Sequence, residues 1–358
     1  MTHIDILQQF DHGEKVIAVK PFGNGRINDT FLGRCESGHR LVLQRVNHNV
    51  FRNVPALMDN VTGVTEYLLA QKKTPETCLH FFPLKGSKSC FFKDEAGNFW
   101  RVYRFIEKTT TLEAIETAEQ FRQAGVAFGQ FQKDLADYPS ETLVETIPDF
   151  HNTAARYAAF DAAATADVAG RADTCREEIA ALRARADRCR LLTDALAEGR
   201  LPLRVTHNDT KINNVLLDEQ TFEPVCVIDL DTVMPGLSLY DFGDCVRSGT
   251  NRAGEEEPDT SKIFCDMELF SAFADGYLSA CRDALTPAEI ALLPEGAEVM
   301  TLELAMRFLT DYLQGDVYFR VENPTHNLLR ARDQMALLFD IEKKLPAMHA
   351  VIDGILGK

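Results

Sequence analysis

The sequence predicts an α+β chain of two lobes, a small β-rich N-terminal lobe over residues 1–108 and a larger, mainly helical C-terminal lobe over residues 109–358. Three observations carry this. Apolar residues in the first lobe fall into short runs bounded by turn residues, the pattern of half-buried strands. From about Thr110 the apolar spacing changes to three and four, the period of a helix face. The helical part is interrupted by two short runs, Val215 to Leu217 and Pro224 to Ile228, which read as strands joined by the turn-rich stretch Asp218 to Glu223.

Taken in order, Val16 to Phe22, Thr30 to Arg34 and Arg40 to Val46 read as strands, separated by Gly23-Asn24-Gly25 and Ser37-Gly38, which supply tight-turn backbone. A helix follows, because Val54, Leu57, Met58, Val61, Thr65 and Leu68 share one face. Cys90 to Phe92 and Phe99 to Ile106 then pair across Asp94 to Asn98. Leu112 to Gln132 reads as one helix and the alanine-rich stretch Thr153 to Ala169 as another. A single helix is expected over Asp173 to Glu198, where Ile179, Leu182, Ala186, Cys189, Leu192 and Leu196 recur at intervals of three and four. Thr286-Pro287 opens a further helix, threonine capping the first free N–H groups and proline fitting the first turn.

At 358 residues and 45% hydrophobic content, the chain can bury one large core or two moderate ones. The first twenty residues are polar, and no apolar stretch approaches the ~20 residues of a membrane span. The expectation is a soluble cytoplasmic protein with no membrane partner. Nine cysteines without a C-x-x-C pair fit small buried thiols in a reducing compartment and indicate no zinc site. A net charge of −16 argues against nucleic acid as a partner. That charge is uneven: residues 1–108 carry 15 Lys and Arg against 11 Asp and Glu, the remainder 23 against 43. A basic N-terminal lobe suits phosphate binding, though solvated surface charges explain it equally well.

The chemistry is concentrated in residues 207–214, His-Asn-Asp-Thr-Lys-Ile-Asn-Asn, and in Val227-Ile228-Asp229-Leu230-Asp231, an apolar run ending on acids. Phosphoryl transfer needs a carboxylate to orient the acceptor hydroxyl, and an amide oxygen and a second carboxylate to hold Mg²⁺. Asp209, Asn214 and Asp229 supply that set in that order. His-x-Asp in a turn is otherwise only a hydrogen-bonded loop, and Asn214 a turn cap. The two strands around Asp218 to Glu223 favour the kinase reading, the first loop preceding one strand and the metal acid following the other.

Four segments extend this. Arg204-Val-Thr-His-Asn-Asp-Thr-Lys-Ile-Asn-Asn214, Val227-Ile-Asp-Leu-Asp-Thr-Val-Met-Pro-Gly236, Tyr240-Asp-Phe-Gly-Asp244 and Met306-Arg-Phe-Leu-Thr-Asp-Tyr-Leu-Gln-Gly-Asp-Val-Tyr318 resemble the aminoglycoside phosphotransferase and choline kinase superfamily, whose fold is protein-kinase-like. Within it they are most similar to the bacterial N-acetylhexosamine 1-kinases, along nearly the whole chain. The resemblance implies ATP and Mg²⁺ as cofactors and a small sugar, GlcNAc or GalNAc, as the substrate, phosphorylated on its anomeric hydroxyl. It makes Asp209 the acceptor for that hydroxyl's proton and Asn214 and Asp229 the metal ligands. Asp231 is a further metal candidate, since strand alternation would leave it on the same side as Asp229. Lys211 is placed to neutralise the transferring phosphoryl group, and Asp241 to buttress the loop by accepting backbone N–H groups. Arg307, Asp316 and Tyr318 match sugar-binding positions; alternatively Arg307 and Asp311, spaced i, i+4, form a surface ion pair.

The N-terminal lobe departs from the superfamily pattern. Gln44 stands where relatives often carry a basic residue, with Arg45 beside it, and a one-residue shift reverses the face a strand side chain points to. Arg45 is nonetheless the candidate phosphate clamp. Gly23 and Gly25 resemble a shortened glycine-rich nucleotide loop or an ordinary hairpin turn, with Arg26 at its tip as a candidate for sugar or phosphate. Phe105 and Glu107 complete the nucleotide-binding candidates. Ser248 lies where a larger residue is expected, which leaves the choice between the epimeric sugars open. Two rivals remain: another kinase of the superfamily acting on choline, homoserine, methylthioribose or an aminoglycoside, and an inactive kinase fold serving as a binding module.

Overall fold

Strands and helix appear near the N-terminus where the sequence places them. The computed structural model describes residues 1–23, 27–71 and 73–358. In chain order, α1 (His3–Leu7) precedes β1 (Val16–Pro21), β2 (Asp29–Cys35), β3 (Arg40–Val46), α2 (Val54–Ala70), β4 (Phe92–Lys93), β5 (Phe99–Arg104) and β6 (Thr109–Thr110). Helices α3 (Ala118–Asp134), α4 (Thr153–Ala166), α5 (Arg176–Arg183) and α6 (Leu191–Ala197) follow. Short strands β7 (Arg204–Thr206), β8 (Val215–Asp218), β9 (Pro224–Val227) and β10 (Met234–Gly236) lead into α7 (Ser238–Thr250), α8 (Met267–Cys281), α9 (Pro287–Ala291), α10 (Leu293–Gln314) and α11 (His326–Ile355). The fold is the mixed α+β arrangement expected, a small antiparallel sheet and a larger helical region.

The chain divides into two compact units. The first comprises Met1–Thr110, Asp137–Pro148 and Leu216–Pro235; the second Thr111–Ala136, Asp149–Val215 and Gly236–Lys358. In the first unit β1 to β5 pair antiparallel in the order β1-β2-β3-β5-β4. Alternation sorts the residues of β3 onto two faces. Leu41 and Leu43, with Trp100 and Val102 of β5, pack on Ile6 and Leu7 of α1 to form one apolar core. The other face carries Gln44 directly opposite Arg101. A second small sheet runs β6-β8-β9, Thr109 opposite Asp218 and Thr110 opposite Leu217. Strands as short as β6 and β7 have too few residues to show a period, which is why the sequence does not announce them.

In the second unit α3 and α8 pack at backbone distance. A Cβ placed on Gly125 would stand 2.3 Å from the Phe273 carbonyl oxygen, and one on Gly276 2.1 Å from that of Arg122, so glycine is required at both. A further core forms where Phe160 of α4 and Leu182 of α5 meet Leu302, Met306 and Leu309 of α10 and Leu338 of α11. Two helix expectations need correction. The helix expected from Leu112 begins at Ala118, because Thr117 and Gln120 form a reciprocal capping box that satisfies the first free N–H groups there. The single helix expected over Asp173 to Glu198 is α5 and α6 joined through tightened turns, with bonds such as Arg185 N–H to Leu182 O and Arg188 N–H to Arg185 O. A 3₁₀ turn advances three residues, so the apolar spacing survives while the helix does not.

Buried Asp333 on α11 gives a test of this packing. Burial first, with Glu255 adding to it, pushes its carboxyl up to about 7. The folded pKa thus exceeds the unfolded value of about 3.9, so the native state binds the proton more tightly and stability declines as pH rises between them. Asp333→Asn has no proton to lose. Its melting temperature relative to the parent is therefore expected to rise between pH 5 and pH 8; a difference that stays constant with pH would contradict the assignment.

Candidate active site

The loop 207–214 follows β7 in the second unit, and its shape is set by one carboxylate. Asp241, buried in the first turn of α7, accepts the backbone N–H groups of His207 and Asn208, each at 2.8 Å, and the side-chain amide of Gln132 at 3.0 Å. This is the buttress expected from the sequence. Thr210 Oγ1 donates to the Asp241 carbonyl at 2.7 Å. His207 is a core residue, its ring edge-on to Phe128 and Phe131, and its Nδ1 accepts the Asp209 N–H at 3.2 Å. Asn208 holds φ +65°, a left-handed conformation that asparagine tolerates better than most residues. This turn leaves the Asp209 side chain 31% exposed, with Lys211 Nζ 3.1 Å from its Oδ1. The negative field of Asp209 raises the Lys211 ammonium above its ordinary pKa, against burial and with help from Asp244. Asn214 closes the group, its Nδ2 donating to the Asp209 carbonyl at 2.8 Å.

Asp229 belongs to the first unit. β9 ends at Val227, Asp229 adopts φ +62°, ψ +55°, and Leu230–Thr232 make a 3₁₀ turn. The alternation argument for Asp231 therefore fails: it lies on a turn, not a strand. Its Oδ1 stands 2.5 Å from Arg101 Nη1 and its Oδ2 accepts from Asn28 Nδ2 at 2.6 Å, with both members of the ion pair almost wholly buried. A carboxylate such as that of Asp229 and an amide oxygen such as that of Asn214 are each hard donors of the kind Mg²⁺ takes together with phosphates and water. Among the described residues no group of three His, Cys, Asp or Glu is placed to hold a metal ion by itself.

The nucleotide candidates are dispersed within the first unit. Arg45 lies on the α1 side of the sheet, opposite in direction to Gln44, and pairs with Asp29 across the strands, Nε to Oδ2 at 2.6 Å, with both side chains exposed. The cation on the Gln44 face is instead Arg101, which the sequence reading missed; only the β3–β5 register reveals it. Glu107 forms an ion pair with Arg40, whose guanidinium lies 3.9 Å from the Phe105 ring centroid. Gly23 has φ +77°. Gly25 and Arg26 fall outside the described residues.

The sugar candidates lie in the second unit. Arg307 on α10 faces the rings of Phe150 and Phe319 at 5.4 and 5.7 Å, and its partner is Glu303 at 3.9 Å, not Asp311. Asp311 accepts the N–H groups of Val317, Tyr318 and Phe319 at 2.8 to 2.9 Å and so folds the loop after α10. Asp316, at φ +62°, has its carboxylate held by Arg171 at 2.6 Å and by Asn327 at 2.9 Å, which makes it a brace of that loop. Tyr318 is exposed beside it. Ser248 donates to the Asp244 carbonyl at 2.9 Å. Two features had no sequence signal because they depend on charges some 150 residues away, Glu303 for His151 and Arg307 for Arg156. Buried Glu303 accepts from Thr153 at 2.8 Å and pairs with His151 at 2.8 Å; the other nitrogen of His151 reaches the Asn208 carbonyl at 3.3 Å, next to Asp209. Burial alone would raise Glu303, but His151, Arg307 and Thr153 hold it below the ordinary carboxylate range. Arg156 is the second: its guanidinium donates to the Phe150 carbonyl, and burial and the nearby Arg307 charge pull its pKa down.

Known proteins share this fold. The chain is similar to the structure of an aminoglycoside phosphotransferase from Alicyclobacillus acidocaldarius, at 13% identity and TM-score 0.66 over 99% of this chain and 97% of that one. It is also similar to a microcompartment-associated aminopropanol kinase, at 18% identity and TM-score 0.61 over 96% and 97% of the two chains. An amicoumacin kinase in complex with AMP-PNP, Ca²⁺ and Ami matches at 14% identity and TM-score 0.58 over 96% and 99%. These likenesses establish the fold. The model of the phosphotransferase enzyme family (APH) matches residues 18–286, three quarters of the sequence and the whole of both motif-bearing loops, and the chain belongs to that family of small-molecule kinases.

Proposed function

We propose that the chain is an ATP- and Mg²⁺-dependent kinase that phosphorylates the anomeric hydroxyl of N-acetylhexosamines, GlcNAc and GalNAc, to give the sugar 1-phosphate. The observation that favours a neutral sugar over a cationic acceptor is the pair of arginines, Arg156 and Arg307, gathered around Phe150 on the unit that carries Asp209. Arginine presents a planar set of donors suited to hydroxyl and carbonyl oxygens, and two of them repel a substrate ammonium group. Tyr318 offers a ring face and a hydroxyl on the loop that Asp311 and Asp316 brace. The rival, an amino-alcohol or aminoglycoside kinase, draws support from the net charge of −20 after residue 108.

In this reading residues 1–108 hold the nucleotide and residues 109–358 the acceptor, in the cytoplasm where ATP is supplied. No helix among the described residues is long and apolar enough to cross a membrane. Asp209 accepts the hydrogen bond of the anomeric hydroxyl, aligning its oxygen for in-line attack and taking the proton as the bond to phosphorus forms. Lys211, kept charged by Asp209, compensates negative charge on the transferring group. Asn214 and Asp229 would hold Mg²⁺, which when bound neutralises charge on the β- and γ-phosphate oxygens. His151 and Glu303 fix the Asn208 carbonyl, and with it the direction of Asp209. ATP consumption measured across hexosamines, amino alcohols and aminoglycosides tests the assignment. Turnover confined to N-acetylhexosamines supports it, and turnover confined to cationic acceptors overturns it.

A further inference from the structure

The turn that carries Asp229 is gripped from both sides within its own unit. From the sheet, Arg101 reaches Asp231, two residues past Asp229, at 2.5 Å. From α2, buried Asn60 donates to the Val233 carbonyl at 2.9 Å and to the Val144 carbonyl at 2.7 Å, while its own oxygen accepts the Val144 N–H at 2.9 Å. Asn28 completes the hold on Asp231 and ties it onward, its Oδ1 accepting the Asn47 N–H at 2.9 Å.

Arg101 has no freedom to leave this arrangement. Its Nε and Nη2 both donate to Gln44 Oε1, at 3.0 and 2.8 Å, and Gln44 is oriented in turn by its own amide donating to Thr30 Oγ1 at 3.0 Å. Its Nη1 also touches Met58 Sδ at 3.8 Å, and the guanidinium lies 5.6 Å from the Phe81 ring centroid. Burial opposes the charge on Arg101, but Asp231 outweighs it and leaves the guanidinium above its ordinary pKa. A forked guanidinium fixed along each edge cannot swing out to a ligand. Gln44 stands directly opposite Arg101 across the β3–β5 ladder, and the charge on this face of the sheet is directed at the turn that carries Asp229.

We infer that Arg101 is a positioning residue for the Mg²⁺ site: through Asp231 it imposes the left-handed backbone at Asp229 and so aims the carboxylate that holds the metal. The inference rests on the kinase reading above, in which Asp229 is that ligand. Removing an outer partner of a metal ligand typically lowers metal affinity by about 10- to 100-fold. A merely structural buried ion pair behaves differently, since replacing both members by apolar residues of similar size is often neutral.

The double variant Arg101→Met/Asp231→Leu separates the two, read by thermal melting and by calorimetric titration of ATP with and without Mg²⁺, with Asp229→Asn as the reference. The expected result is a cooperative melt near that of the parent, and Mg²⁺-dependent ATP affinity weakened about tenfold or more while Mg²⁺-free binding is unchanged. A folded double variant with the parent's Mg²⁺ response overturns the inference while a weakened Asp229→Asn leaves the metal assignment standing. If Asp229→Asn itself binds Mg·ATP like the parent, the metal assignment fails and the inference with it. Arg101→Lys, which keeps a counter-ion for Asp231 but loses the fork on Gln44, covers the case in which the double variant does not fold. It too is expected to lose Mg²⁺-dependent affinity, and a parental value overturns the inference.

Discussion

Asp209→Asn is expected to lower turnover by about 10²-fold or more, the usual scale for a positioned acid or base, while melting temperature and Mg·ATP affinity stay at the parental values. The selectivity of that loss follows from the geometry. The shorter hydrogen bonds that shape the loop use the Asp209 backbone, its N–H on His207 and its carbonyl on Asn214, and only a longer one, 3.4 Å from Asn214 Nδ2, reaches the carboxylate. The side chain is partly exposed and its ion-pair partner Lys211 is half-exposed, so little folding energy is at stake. Asparagine keeps the shape and removes the charge that, in the proposed function, accepts the hydroxyl proton. Steady-state kinetics with a melting curve checks this, and near-parental turnover in a folded variant would move the catalytic role to another group.

In the proposed function Asp229 holds Mg²⁺, so Asp229→Ala should cost Mg²⁺-dependent nucleotide binding as well as rate, because a neutral side chain cannot replace a carboxylate ligand. The site adds a backbone effect: at φ +62° alanine is strained where aspartate and asparagine are better tolerated. Asp229→Asn therefore isolates the charge. Both variants are expected to weaken Mg·ATP binding at least tenfold, with the alanine variant also melting lower. Parental affinity in Asp229→Asn would transfer the principal ligand role to another acid.

How far each feature was legible depends on how local its cause is. The strands of the N-terminal sheet and the cap at Thr286 were readable because alternation and capping act over a few residues; Thr286 and Glu289 form the reciprocal box. The loop from His207 to Asn214 was placed because the short apolar run that begins at Val215 follows it directly as a strand. Asp231 was misread because the strand stops short of it and Asp229 reverses the backbone, a tertiary outcome that no period records. Arg101 needed the register of β3 on β5, and the link from Glu303 through His151 to the Asn208 carbonyl joins residues far apart in sequence. The surroundings of Arg307, two aromatic rings, Glu303 and a second arginine, came only from the packing of the helical unit.

The central claim is that phosphate is transferred to the anomeric oxygen of an N-acetylhexosamine, and the product identifies the oxygen directly. Phosphorylation at O1 blocks ring opening, so the reducing-sugar signal should disappear mole for mole as ATP is consumed. The anomeric proton should at the same time gain coupling to phosphorus. In the proposed function Asp209 orients O1 and Arg307 and Tyr318 hold the ring, which would keep O6 from in-line geometry. Loss of reducing sugar with an anomeric phosphate is the predicted result; consumption of ATP with a product that still reduces copper would contradict it.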